Sequence, residues 1–552
     1  DPVSSFVWDP VNPNAASNSL TVSGGTLGAL SAAGTDVNGK KYYTATFTPT
    51  TGSTTNGVIS IASNKFKDPS GNLNADGADA DNTLTLAVDT VRPTVTFVQP
   101  AAGGAGGDAA HAVKRGDTLT LTMNFSEAPM GLSLTDLSTG GKGTLTNLVQ
   151  VSATQYTVDF TPATDLAAQQ VNISIAATTF TDPNGNNNAT GSQAGVYVDT
   201  LQPSVASIAI VSNAGIDNTY IPGDFIDVKV IFSKAVTITG TGASVNINIG
   251  GILKTASFDS TNANNTGTDK YFRYQVLAGD TDANGIGLGT NPLVVDASTT
   301  IRDATGNDTV LANSGLADNT SHKVDTTAPT VALSASLNTV NLETGTTLST
   351  ITFTFSEDPG SSFTLGDVVI KNGATVLTSA TDYTWGALSG TGLTRTATLT
   401  PRAGYEGTMT LSVASGTFSD TPGNLNSDGA DLNNSFDLVV DTIRPTVSMS
   451  ASALTAKAGD SVTLTLTFSE IVTGLSLSDI AISGGTGTVS NLVQTADPKI
   501  YTIDFRPTTG QATGTAIQLA IANNAVQDLK NNKQDWTIVY FHYPIYTKGS
   551  YD

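Results

Sequence analysis

The chain has no cysteine in 552 residues. Disulfides, thiolate zinc sites and cysteine nucleophiles are therefore excluded, and stability must come from packed cores or from hard metal ions. Histidine is nearly absent as well, with three copies. Positive charge is scarce: 25 Lys and Arg stand against 47 Asp and Glu, a formal net charge of −22. An excess of this sign repels nucleic acid and anionic membrane surfaces and makes cations the natural ligands. No apolar run is long enough to span a bilayer, and the opening "DPVSSFVWD" has neither the basic nor the apolar region of a secretion leader. Helix formers such as Glu, Lys and Met are few, whereas 54 glycines accompany abundant Thr, Ser, Asn, Asp and Val. That composition favours short strands and tight turns, so an all-β fold is expected, with about three to five domains for this length.

What is present repeats. "VDTVRPTV" from Val88 returns as "VDTLQPSV" from Val198, "VDTTAPTV" from Val324 and "VDTIRPTV" from Val440, at intervals of roughly 110 to 125 residues, the size of a β-sandwich domain. Before each copy stands a polar turn: "DPSGNLN" from Asp68, "DPNGNNN" from Asp182, "DATGND" from Asp303 and "DTPGNLN" from Asp420, with a fifth version, "DLKNNKQ" from Asp528, that lacks the glycine. After each copy comes an alternating strand ending in a polar pair: "TLTLTMNFSE" to Glu127, "FIDVKVIFSK" to Lys234, "TLSTITFTFSE" to Glu357 and "SVTLTLTFSE" to Glu470. Strict alternation marks a half-buried strand.

These phrases, with "SGGTG" and "YTIDFRPTTG" between them, resemble the bacterial immunoglobulin-like repeats of large secreted and surface proteins, adhesins among them. The resemblance covers residues 1 to about 535, with a divergent third repeat carrying "YIPGDFIDVKV" and "YQVLAGDTDANG". It implies tandem immunoglobulin-like β-sandwich domains in an elongated array, on the bacterial cell surface or outside the cell. The expected units are 1–92, 93–202, 203–328, 329–444 and 445–534, followed by a tail, 535–552. "DPVSSF" from Asp1 matches "DPGSSF" from Asp358, which follows "FSE" directly, so the first unit is expected to begin after its own second strand, as in a fragment of a longer polypeptide.

In such a sandwich the second strand ends at the pole that receives the linker from the preceding domain, and the loop before the last strand ends there too. Three acidic phrases should meet at each joint. Carboxylates, Asn and backbone carbonyls form an oxygen-only set that suits Ca²⁺ and not zinc, so interdomain calcium is predicted. The first joint would use Asp89, Glu127, Asp182, Asn184 and Asn186. The third would use Asp325, Glu357, Asp420 and Asn424, and the fourth Asp441, Glu470, Asp528 and Asn532. At the second joint, Asp199, Asp303 and Asn307 meet Lys234, whose ammonium cannot ligate a metal and supplies the neutralising charge itself, so this joint should be metal-free or weaker. Asp and Asn before glycine are also ordinary turn formers, and linker turns without an ion account for the same phrases. "DTDANG" offers Asp280, Asp282 and Asn284 at the alternate positions of an EF-hand-like loop, but its twelfth position is Asn291 instead of Glu, which leaves a hairpin turn as the competing account. The long polar loops "NLNADGADADN" and "NLNSDGADLNN" are expected to be solvated.

The remaining signals are small. Arg115-Gly116-Asp117 has the position of a turn before a strand, and His111 and His322, lacking partner histidines, are expected at the surface. No Ser-His-Asp arrangement or phosphate-binding glycine loop appears in residues 1–534. The tail "WTIVYFHYPIYTKGSYD" resembles the V-x-x-H block of purple-acid-phosphatase-like metallophosphoesterases, in which the histidine, here His542, ligates one of two metals. No glycine here is followed by Asn-His, and no Gly-Asp by Tyr at the right distance. Three origins remain open for the tail: a strand in which "WTIVY" closes the fifth unit, a phosphatase fragment joined by rearrangement or assembly error, or part of a phosphatase-linked protein. A two-metal centre enters only if the parent is such an enzyme. The expected function is a calcium-stiffened rod that presents a terminal domain, its cell-surface ligand unidentified, with no nucleic-acid partner, no membrane insertion, and contacts between neighbouring repeats or lateral rods. The alternative is the accessory stalk of a secreted phosphoesterase.

Overall fold

The structure is a computed structural model that describes residues 5–75, 79–215, 217–341, 347–428, 432–510, 512, 514, 516–522, 525–528 and 545–547. Apart from short 3-10 turns, every regular element among them is a strand.

The second unit shows why the alternating phrases fold as they do. In Leu119–Phe125, Leu121, Met123 and Phe125 face inward and are buried, while Asn124 is exposed. This strand lies in a four-stranded sheet with Val95–Phe97, Gln155–Pro162 and Gly143–Ser152. A second sheet of Leu137–Ser138, Gln169–Ile175 and Ser192–Val198 covers it. With strands lettered in chain order, the two layers read ABED and CFG, the arrangement of a constant-type immunoglobulin sandwich. The fourth unit repeats it, with Val331–Ala335, Ser349–Phe355, Thr394–Pro401 and Tyr383–Trp385 in one layer. Its second layer holds Thr339–Asn341, Ser435–Asp441, Glu406–Val413, Val368–Asn372 and Thr375–Val376. In both, a short segment ahead of the second strand pairs in parallel with the last strand: Val113 with Val198, and Thr339–Asn341 with Val439 to Asp441.

The third unit departs from this plan. Val205–Ile210, Phe225–Phe232, Asp269–Gln275, Ile252–Phe258, Ser244–Ile249 and Leu293–Val294 form one six-stranded sheet, and the opposite side is built from two-stranded ladders. Its parallel closure is kept, Thr219 and Tyr220 pairing with Lys323 and Val324. The first unit has a three-stranded sheet, Leu20–Ser23, Gly57–Ile61 and Thr83–Leu86, under a small core of Trp8, Leu20 and Leu27. Its start superimposes in contact on the fourth unit: Ser5 Oγ accepts from Lys67 N as Ser362 Oγ does from Ser419 N, and Phe6 meets Phe66 as Phe363 meets Phe418.

In the fifth unit, Ile545–Thr547 occupies the closing position, parallel to Thr455–Ala456 and antiparallel to Ala516–Ile521. The tail therefore supplies a strand of the last sandwich, with "IYT" in that slot; "WTIVY" lies outside the described residues.

Among the described residues each unit has its own hydrophobic cluster, and none of these clusters crosses a joint. The accessible surface is 28046 Å², against about 19,000 Å² for a compact monomer of this mass. The units are strung out in an array, not gathered around a common core.

Candidate functional site at the domain joints

Each recurring phrase spends one residue on each of several jobs. In Val-Asp-Thr the valine is buried in every copy, and Val198, Val324 and Val440 belong to the core of the unit they close. The threonine ties the linker back to that same unit. Thr200 Oγ1 donates to Ala163 O at 2.7 Å and accepts from Leu166 N at 2.9 Å, and Thr90, Thr326 and Thr442 make corresponding pairs with loops of their own units. The aspartate is left facing forward. In Phe-Ser-Glu or Phe-Ser-Lys, the phenylalanine is core, and the serine hydroxyl accepts from the residue after the linker proline: Thr94 N to Ser126, Ser204 N to Ser233, Thr330 N to Ser356 and Thr446 N to Ser469, at 2.8 to 2.9 Å. The last residue of the phrase then points at the forward-facing aspartate.

The third component is the D-x-x-G-N turn. Asp182, Asp303 and Asp420 each use Oδ1 to accept backbone N–H groups two to four residues on, closing an Asx-type turn. Gly185, Gly306 and Gly423 have φ of +86°, +93° and +113°, a left-handed conformation that favours glycine. With Oδ1 committed to the turn, Oδ2 faces the joint.

Three carboxylates meet in this way at three joints: Asp89, Glu127 and Asp182; Asp325, Glu357 and Asp420; and Asp441, Glu470 and Asp528. In each group one ligand atom per residue lies within 4.8 Å of the others. Asp182, Asp420, Asp441 and Asp528 are buried. Burial, and then the charges of Asp182 and Asp89, push the Glu127 carboxyl above its usual range. Glu357 is driven further, to about 7, by burial, by Asp325 and by Asp420, and its Oε2 is buried without a hydrogen-bond partner. Two like charges at this separation repel by about 3 kcal/mol at an effective dielectric of about 20. The Asp182 carboxyl moves the opposite way: burial opposes ionisation, but the bonds from Asn186, Asn184 and Gly185 outweigh it.

The asparagines have a different role from the one their chemistry suggested. Asn186, Asn307 and Asn424 direct Nδ2 at the backbone carbonyls of Asp89, Asp199 and Asp325, at 3.0 to 3.1 Å, and also at Oδ2 of the turn aspartate. Asn184 Nδ2 donates to Asp89 Oδ2 at 2.7 Å. They are clips that fasten one unit to the next by donating hydrogens through Nδ2.

The second joint has an ammonium in the middle. Lys234 Nζ lies 3.0 and 2.9 Å from the two carboxylate oxygens of Asp199, 2.7 Å from Asp303 Oδ2 and 2.7 Å from Leu201 O. Burial acts against its charged form, but the bonds to Asp303 and Asp199 prevail and hold its pKa above the ordinary lysine value.

A model of the bacterial Ig-like domain matches residues 13–88, 89–198, 325–437 and 441–539, well over half of the chain. The chain belongs to the bacterial Ig-like domain family. The unmatched stretch coincides with the third unit, whose six-stranded sheet breaks the Ig-like layering. No similar protein was found among curated proteins. Solved structures similar to this Ig-like chain include FdeC, a broadly conserved Escherichia coli adhesin, at 14% identity over 63% of this chain and 96% of that one, TM-score 0.23. The D1–D4 ectodomain fragment of ICAM-5 is 13% identical over 82% and 99%, TM-score 0.26. At such scores neither likeness contributes to the functional interpretation.

Elsewhere in the Ig-like array, several expectations are corrected. "DTDANG" does not gather ligands. Asp280 is bound by Lys254 Nζ at 2.7 Å, Tyr274 Oη at 2.7 Å and Leu277 N. Asp282 accepts from Gly250 N and Gly285 N, and Asn284 reaches out to Asp318. Protein donors hold these groups, so the segment is a structural turn. His322 is not a free surface residue, since its ring stacks on Tyr220 and Nδ1 lies 3.0 Å from the Tyr220 hydroxyl. His111 is exposed and paired with Asp108. In the long loop of the fourth unit Asp428 is fully buried, accepting from Val331 N and Asn426 Nδ2. His542 and Asn532 lie outside the described residues. No helix among the described residues is long and apolar enough to cross a membrane.

Proposed function

We propose that this chain is the structural and adhesive repeat region of a bacterial surface or secreted protein, an array whose carboxylate-lined joints are bridged by Ca²⁺. The observation that carries this is the repeated meeting of three carboxylates contributed by three separate phrases. A set of hard oxygens with no nitrogen or sulfur ligand suits a divalent alkaline-earth ion. The bridged ion would take up the repulsion among the carboxylates and fix the angle between units, since a joint with no shared apolar core otherwise permits relative motion. Asp89, Glu127 and Asp182 would hold the first ion, Asp325, Glu357 and Asp420 the second, and Asp441, Glu470 and Asp528 the third.

Calcium titration by calorimetry is expected to give a stoichiometry near three per chain, and small-angle scattering to show a longer, narrower distance distribution with calcium than with chelator. Superimposable scattering curves together with no heat of binding would remove the metal from this account. Phosphoesterase assays on the chain are expected to be null.

A further inference from the structure

We propose that the second joint carries its own cation, so that the second and third units form one rigid piece at any calcium concentration, while the other joints stiffen only when metal is bound. The inference rests on the calcium reading for the contrast with the other joints, but not for the behaviour of the second joint itself.

Lys234 stands where the other joints have glutamate, in the same register. Phe232 is buried like Phe125, Phe355 and Phe468, and Ser233 accepts from Ser204 N as the equivalent serines accept from Thr94, Thr330 and Thr446. From that position the ammonium directs its three N–H groups at the Asp199 carboxylate, Asp303 Oδ2 and Leu201 O. An ammonium has three donors and no acceptor, so its hydrogen-bonding capacity is filled by this cage. The charges also match. Two carboxylates around one ammonium leave a single net negative charge, the same as three carboxylates around one divalent ion. Substituting lysine for glutamate thus replaces the ligand and the metal together.

A second contact, independent of charge, points the same way. Asn307 donates to Asp199 O at 3.0 Å, and its Oδ1 accepts from Arg115 N, in the second unit, also at 3.0 Å. The clip is closed at both ends. At the third joint the turn docks similarly, Gly423 lying against Ile221 as Gly306 lies against Lys114. There, however, the residue matching Arg115 is Pro222, which has no N–H to give. Asn424 Oδ1 is correspondingly buried without a partner. The second joint therefore has two fastenings that need no metal, and the third has half of one.

The absence of native cysteine makes spin labelling direct. In the full chain, Val151→Cys with Leu253→Cys spans the second joint, and Leu253→Cys with Val376→Cys spans the third; all three side chains are exposed. Pulsed EPR should give a narrow distance distribution across the second joint that is identical in calcium and in chelator, and one across the third joint that broadens roughly twofold on chelation. Lys234→Met should broaden the second-joint distribution in both conditions, because it leaves two buried carboxylates uncompensated. Lys234→Glu should recreate a three-carboxylate site, narrow with calcium and broad with chelator. Its recovery in calcium also shows that the variant units are folded. Broadening of the unmodified second joint on chelation, or a Lys234→Met joint that stays narrow, would overturn the proposal. A third joint insensitive to chelator would instead count against calcium bridging, and would leave the behaviour of Lys234 separately decided.

Discussion

At the scale of single residues, the joints are places where the fold accepts unfavourable electrostatics. Glu357 illustrates the cost. Its carboxyl is raised from an ordinary 4.5 to about 7, so between those values the folded chain holds a proton that the unfolded chain has released. In chelator, stability contributed by this group is full below about pH 4.5 and is lost as pH rises through about 7. Glu357→Gln should flatten that dependence in pH-resolved denaturant melts, and above pH 7 should be more stable than the parent by roughly 1–3 kcal/mol after allowance for partial exposure. In saturating calcium the order should reverse, because an ion bound only to the folded parent stabilises it by mass action. The threonines of the Val-Asp-Thr phrase carry a different load. Thr442 is buried; its hydroxyl donates to Arg402 O at 2.9 Å and accepts from Tyr405 N, while its backbone N–H donates to Tyr405 O. Thr442→Val keeps the shape and strands the Arg402 carbonyl and the Tyr405 N–H, for an expected loss of about 1–3 kcal/mol. Trp385, the tryptophan of the fourth unit, reports the shift in denaturant midpoint if Trp8 and Trp536 are replaced by Phe. Repetition made the aspartates and glutamates legible in the sequence, since an acidic residue at a fixed offset from a strand end and from a linker can only converge. It did not reveal the threonines, although they recur in every copy, because a hydroxyl gives no sign of which backbone group it will meet. Nor did it reveal the asparagines' direction. An amide offers both oxygen and N–H, and only the position of the Asp89, Asp199 and Asp325 carbonyls decides between ligand and donor.

At the scale of elements, period-two alternation identified the second strand of the second to fifth units, and its consequences are sharp. In Val462–Phe468, Leu466 is fully buried and Thr467 exposed. Leu466→Ala should cost about 2–5 kcal/mol through lost burial and a residual cavity, whereas Thr467→Lys should stay within about 0.5 kcal/mol. Calorimetric transitions of the two variants check the pair; equal shifts would mean that the strand is not seated as the alternation requires. The third unit was harder to read. Its second strand alternates as well as the others, but pairing order is a tertiary property: Ser244–Ile249 and Leu293–Val294 extend a sheet that in the second, fourth and fifth units ends at the fourth strand. The acidic run "DTDANG" likewise matched a ligand loop in spacing alone. Lys254, reaching across to Asp280, is invisible to any pattern confined to the loop itself.

For the whole molecule, the decisive feature is that, among the described residues, each hydrophobic cluster stays within one unit while hydrogen bonds cross the joints. Thermodynamic coupling between neighbours then depends on a few hydrogen bonds and charges, and an array of this kind behaves as a sum of unit stabilities plus nearest-neighbour terms. Phe353 gives a clean probe. It is fully buried, in ring contact with Phe363 and Trp385, and belongs to a cluster wholly within the fourth unit. Phe353→Ala should lower that unit's stability by about 3–5 kcal/mol. In chelator, calorimetry should show one transition displaced and the rest unmoved. With calcium bound, the joints on either side of the fourth unit acquire an energetic stake in its folding, because Asp325 and Glu470 belong to its neighbours while Glu357, Asp420 and Asp441 are its own. The displaced transition should then rise and draw the adjacent ones toward it. If every transition moves together even in chelator, the units share stability through something other than the carboxylate joints, and the array is a single cooperative body.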